Sequence, residues 1–119
     1  MKKIILFSTF LVTSAVWANG NGQHNMSEHI TPSSAASQEY LAGMQKMHDG
    51  MMKGAIAQDP DVAFAEGMTA HHQGAIDMAK TQLKYGKDPE MRKLAEDIIR
   101  AQQPEIDQMQ TWLKEQKKH

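Results

Sequence analysis

From Ala35 onward the chain writes a helical period three times. Tyr40, Met44, Met47, His48, Met51 and Ala55 recur at three- and four-residue steps, with Lys46, Asp49 and Lys53 away from them. Phe64, Met68, His71, His72, Ala75 and Ala79 repeat the pattern, opposed by Glu66, Asp77, Lys80 and Lys84. A third stripe, Met91, Leu94, Ala95, Ile98, Ile106, Met109 and Leu113, keeps step through Pro104. Such spacing predicts three amphipathic helices, over 35–57, 60–85 and 89–117. Their punctuation agrees. Ser33 and Ser34 offer caps to the first, and Asp59-Pro60 and Asp88-Pro89 each place a capping carboxylate before a first-turn proline. Gly86 reads as the stop of the second helix, and Pro104 as a kink within the third rather than its end.

Two short connections between long helices predict an all-α fold, an antiparallel up-down-up bundle. If the first connection is centred near Asp59 and Pro60, facing residues have numbers summing to about 119. Met47 and His48 then lie level with His71 and His72, about 18 Å from the turn at 1.5 Å per residue. The same arithmetic around Lys87 brings Gln102 and Gln103 of the third helix to that level, and Met109 to the level of Ala65 and Met68. The pairing is pointed because the two segments repeat a phrase. "YLAGMQKMHDGM" (40–51) and "FAEGMTAHHQGA" (64–75) share an aromatic residue, Gly-Met, His and Gly in register. Gly43, Gly50, Gly54, Gly67 and Gly74 fall inside these helices, at about 1 kcal/mol each relative to Ala. Either close helix contact or an ion bridging the helices must offset that cost.

Ahead of the helices, Lys2 and Lys3 precede the apolar run "IILFSTFLVTSAV", and "VWA" (16–18) has small residues at the cleavage positions. Residues 1–18 read as a secretory signal peptide, too short in its apolar part for a membrane span, which implies a periplasmic or secreted protein with no stable membrane insertion after cleavage. Residues 19–34, "NGNGQHNMSEHITPSS", are polar and aperiodic and read as a flexible arm before a helical domain over 35–119. Removing Lys2 and Lys3 leaves 11 basic against 14 acidic residues, a net charge of −3. With no basic stripe and few aromatics, nucleic acid is not an expected partner. The chain has no cysteine, so core packing, metal or association must hold it.

Methionine is the composition's outlier, at ten residues. A thioether is neutral and polarisable; it suits Cu(I) or Ag(I), while imidazole extends the range to Cu(II) or Zn(II). Where thiols are oxidised, Met with His is a workable donor set for copper. Steps of three, four and seven residues put donors on adjacent turns of one face. Met47, His48, His71 and His72 are therefore the expected central ligands, with Met44, Met51 and Met68 beside them. Met52, Met78 and Met109 border the same face. His24, Met26 and His29 in the arm are auxiliary at most. The plainer reading is that a methionine stripe at helical spacing is core. Three histidines on facing surfaces weigh against it, because inward imidazoles need partners.

At "MTAHHQGAIDMA" (68–79), with "MQKMHDGMM", "GKDPEMRKLAEDII" and "EIDQMQTWL", the chain resembles the family catalogued as domain of unknown function 305, over about residues 40–113. The resemblance implies a ferritin-like bundle, an exported bacterial protein, and copper binding through Met and His in resistance or trafficking. Carried onto this chain, it implies Met44, Met47, His48, Met51, Met68, His71, His72 and Met78 as metal residues. Two features depart from the pattern. Pro104 interrupts a helix, and three helices fall short of four, leaving the fourth to a second copy or a copper-handling protein partner. No Glu-x-x-His or His-Glu-x-x-His occurs, so no di-iron or zinc enzyme is expected. The expected function is copper buffering, trafficking or resistance. The alternative is a metal-free periplasmic stress or scaffolding bundle with a Met-rich core.

Overall fold

Each helix starts where a short polar side chain meets free backbone amides. A computed structural model describes residues 34–119, which form α1 (Ala35–Ala55), α2 (Pro60–Tyr85) and α3 (Pro89–Gln116). The signal peptide assigned to 1–18 and the arm assigned to 19–34, with His24, Met26 and His29, lie outside the described residues except for Ser34. The Ser34 hydroxyl accepts from the Ser37 amide at 3.1 Å. Asp59 accepts from Asp61 and Val62 at 2.8 and 3.0 Å, and Asp88 from Met91 at 3.0 Å. Each cap stabilises its helix by about 1 kcal/mol.

The ends differ in detail from expectation. α1 stops two residues early, where the Ala57 amide bonds the Gly54 carbonyl at 3.0 Å in a tightened last turn. Asp59 then takes extended backbone, as the residue before a proline prefers. Gly86 ends α2 in extended conformation (φ −75°, ψ 149°), not in the left-handed one for which glycine is usually chosen. Terminal carbonyls are instead met from α3. Arg92 Nη1 donates to the carbonyls of Leu83 and Gly86 at 2.8 and 2.9 Å. α3 runs unbroken through Pro104 and ends one residue early.

Both neighbours of α2 run antiparallel to it. Facing pairs with α1 include Tyr40 with Gln82, Met47 with Gly74, and Gly54 with Gly67; α3 brings Arg92 to Leu83 and Glu105 to His72. α1 and α3 do not pack on each other: no Cα of one comes within 8 Å of a Cα of the other. On α2, Ala70, Gly74 and Asp77 face α1, while His72 faces α3, about half a turn away. The up-down-up order holds, but the three helices form a layer with α2 in the middle. No described helix is long and apolar enough to cross a membrane.

A layer has little interior. Among the described residues the buried apolar ones are Ala65, Ile76, Ala79, Ala95 and Ile106, along α2 and its α3 side, with Ile76 and Ile106 the largest of them. Met44, Phe64, Met78, Met91 and Leu94 remain between 44% and 65% exposed. Counting about 100° per residue from the contact lines, all five belong to one broad face. At one edge of the α1–α2 pair, the Glu39 carboxylate accepts from Lys84 and, at 2.7 Å, from the Tyr85 hydroxyl. Lys84, then Tyr85, hold the Glu39 carboxyl below its ordinary range, while Glu39 raises Lys84.

The closest approach in the layer lies at Gly54. A Cβ there would sit 2.6 Å from the Gly67 backbone nitrogen and 3.0 Å from the Glu66 carbonyl carbon, atoms that cannot move aside. A Cβ on Gly67 would meet nothing within 4 Å. Gly54→Ala is therefore expected to lower the unfolding free energy by about 1–3 kcal/mol, despite alanine's better helix propensity. Gly67→Ala is expected to raise it by up to about 1 kcal/mol. Urea unfolding followed by circular dichroism distinguishes them; stabilisation by both substitutions would refute the close contact.

Candidate metal centre

The line of contact between α1 and α2 decides where the donors point. On α1 it runs through Tyr40, Gly43, Met47, Gly50 and Gly54. The expected inward face, Tyr40, Met44, Met47, His48, Met51 and Ala55, shares only Tyr40 and Met47 with it. Small residues let the backbones close along the glycine line, and the larger donors are turned onto its flank. Met44 is 46% exposed, His48 and Ala55 are exposed, and Met51 is half-buried.

α2 behaves in the same way. Gly67, Ala70 and Gly74 meet α1, and His71 and Met78 fall to the side, His71 exposed and Met78 46% exposed. By helical phase this is the flank that also carries Met44, His48 and Met51. Heights match as well, because facing residues have numbers summing to 120–122 in the pairs Gly50–Ala70, Met47–Gly74, Gly54–Gly67 and Tyr40–Gln82. Met44 is level with Met78, Met51 with His71, and His48 lies between those levels. Five donors thus form a strip along the α1–α2 seam, open to solvent.

The remaining three candidates go elsewhere, so Met47, His48, His71 and His72 do not make one cluster. Met47 is a wedge: its sulfur lies against the Gly74 backbone, only 2.4 Å from where a Cβ would stand. His72 turns to α3, is only 8% exposed, and bonds through Nε2 to the Glu105 carboxylate. Its ring is 6.0 Å from that of His71, centroid to centroid, with the planes 63° apart. Met68 joins His72 in a groove of about 600 Å³ between α2 and α3, with Phe64, Glu105, Met109 and Trp112 on its walls.

Glu105 is the residue that sequence reasoning missed. Register arithmetic placed Gln102 and Gln103 at this level, and Glu105 stands about one turn further along α3. The available signal was its spacing, since Ala101, Glu105, Met109 and Trp112 follow one another at steps of three or four. Among the described residues no three His, Cys, Asp or Glu side chains converge as a metal group.

The model of the family described as "Domain of unknown function (DUF305)" matches residues 12–113. A curated relative, "Uncharacterized protein L153" of Acanthamoeba polyphaga mimivirus, is 44% identical over 57 residues. That match covers 48% of this chain and 38% of the viral protein, so the chain spans well under half of that relative's length.

Removing the carboxylate behind His72 tests the α2–α3 arrangement. Glu105→Ala removes the carboxylate, itself largely exposed, and opens His72 Nε2 to water, at an expected cost of about 0.5–1.5 kcal/mol. Thermal unfolding of the metal-free protein measures it; an unchanged midpoint would show that the bond is not kept in solution.

Proposed function

The chain belongs to the DUF305 family, and from that premise we propose that it is an exported copper-binding protein, holding Cu(I) for buffering, trafficking or resistance. The observation that carries this reading is the strip of Met44, His48, Met51, His71 and Met78 along one seam of the layer. Three thioethers and two imidazoles from two helices are neutral, soft donors at matched heights. Such a set suits Cu(I) and Ag(I) and leaves Zn(II) poorly served. Met47, packed on Gly74, supports the seam rather than the ion.

Exposure fits exchange. A strip open along its length allows an ion to be taken up or passed on one ligand at a time, so the natural partner is a copper-handling protein or a second copy of the chain. The apolar broad face that carries Met44 and Met78 gives such a partner a place to sit. Export is supported by Lys2, Lys3 and the apolar run that follows.

A second reading, a metal-free stress or scaffolding bundle, is favoured by the same exposed methionines, since thioethers also make adaptable binding surfaces and sinks for oxidants. Competition between the purified chain and a chromophoric chelator separates the two. Cu(I) is expected to be retained and Zn(II) not. Replacing His48 and His71 with Ala, and Met44, Met51 and Met78 with Leu, should weaken Cu(I) retention by more than about tenfold, with helix content unchanged. No retention by the native chain, and a melting midpoint indifferent to Cu(I) and Ag(I), would favour the metal-free bundle.

A further inference from the structure

Helical domains bury their apolar stripes by setting a second layer on the first, and here α1, α2 and α3 make one layer only. The two broad sides of that layer differ. One carries Lys46, Lys53, Glu66, Asp77, Lys80 and Lys84 along its grooves. The other carries Met44, Phe64, Met78, Met91 and Leu94, each between 44% and 65% exposed. By helical phase, half-buried Met51, Met68 and Trp112 lie on this second side too. Its groove between α2 and α3 holds two carboxylates, Asp61 and Glu105, and Glu105 is bonded to His72. One side is thus built for water, and the other lacks a cover.

We infer that the cover is a second copy of the chain, the two layers stacking apolar side on apolar side about a two-fold axis. Area supports the pairing. At about 200 Å² for a fully exposed side chain of this size, the five leave roughly 500 Å² in water. The half-buried side chains beside them bring this toward the roughly 800 Å² that each partner gives to a stable interface. Shape supports it as well. The face crosses helices of 21, 26 and 28 residues, so a single docked helix would leave much of it bare, whereas a layer of the same size matches it. Charge agrees, because a two-fold contact sets a surface against itself and any charge on it against its like. Lysines and most carboxylates are on the opposite side, where pairing leaves them in water. The inference goes beyond the copper reading and takes no premise from it, since apolar area alone drives the contact.

Sedimentation equilibrium of the purified mature chain (from Asn19), with a copper chelator present, reads the mass. Two chains per particle are expected at about 50 μM, because interfaces of this size form at micromolar concentrations or below. Leu94→Lys puts a charge on the face without asking for room in the core. It should raise the dissociation constant by more than about tenfold with circular dichroism unchanged, and Phe64→Lys should do the same. Ile56→Lys alters a side chain that is more exposed still, at 78%, at the end of α1 and turned away from α2. That variant should keep the native mass. A one-chain mass at every concentration would overturn the pairing, as would an equal loss in Ile56→Lys or a dimer that forms only after Cu(I) is added. A chain that stays monomeric and floats with phospholipid vesicles would assign the face to a membrane surface instead. Neither Leu94 nor Phe64 belongs to the strip of donors, so Cu(I) retention and self-pairing can each fail alone.

Discussion

The arrangement of every donor depends on how closely α1 and α2 approach at Gly54 and Gly67. Where a side chain would stand on Gly54 there is backbone of α2, and the neighbouring contacts, Gly50 on Ala70 and Met47 on Gly74, follow from the same approach. Once that line of small residues is chosen, the rotation of both helices is set. Met44, His48 and Met51 are carried to one flank of α1, and His71 and Met78 to the matching flank of α2. His72, one residue and about 100° beyond His71, is swung toward α3. A single packing choice therefore separates two adjacent histidines into different environments.

Much of this was legible in the residues. Asp59-Pro60 and Asp88-Pro89 marked two helix starts because a cap and a pre-set φ act locally, within a few residues of chain. The hairpin register came within one to three residues of the observed pairing, since a short turn leaves antiparallel rods little freedom to slide. Rotation about the axes was harder. Methionine and glycine stripes ran side by side on α1, and periodicity cannot say which one touches a neighbour. Backbone approach favoured the glycines. The open cross-section was equally hidden, for antiparallel order alone does not distinguish a layer from a triangle. Glu105 escaped because the arithmetic paired His72 with Gln102, three residues away, an offset of the same size as that between α1 and α2.

Layering also explains the modest core. With α2 alone touching both neighbours, enclosure concentrates on Ile76, Ala79, Ala65 and their α3 counterparts, and the rest of the apolar side chains share their surface with solvent. With Phe64, Met91 and Leu94 so exposed, the described residues enclose a small apolar core for their number. Methionine is well suited to such a surface. It is flexible enough to cover a neighbour while leaving part of its own surface to solvent.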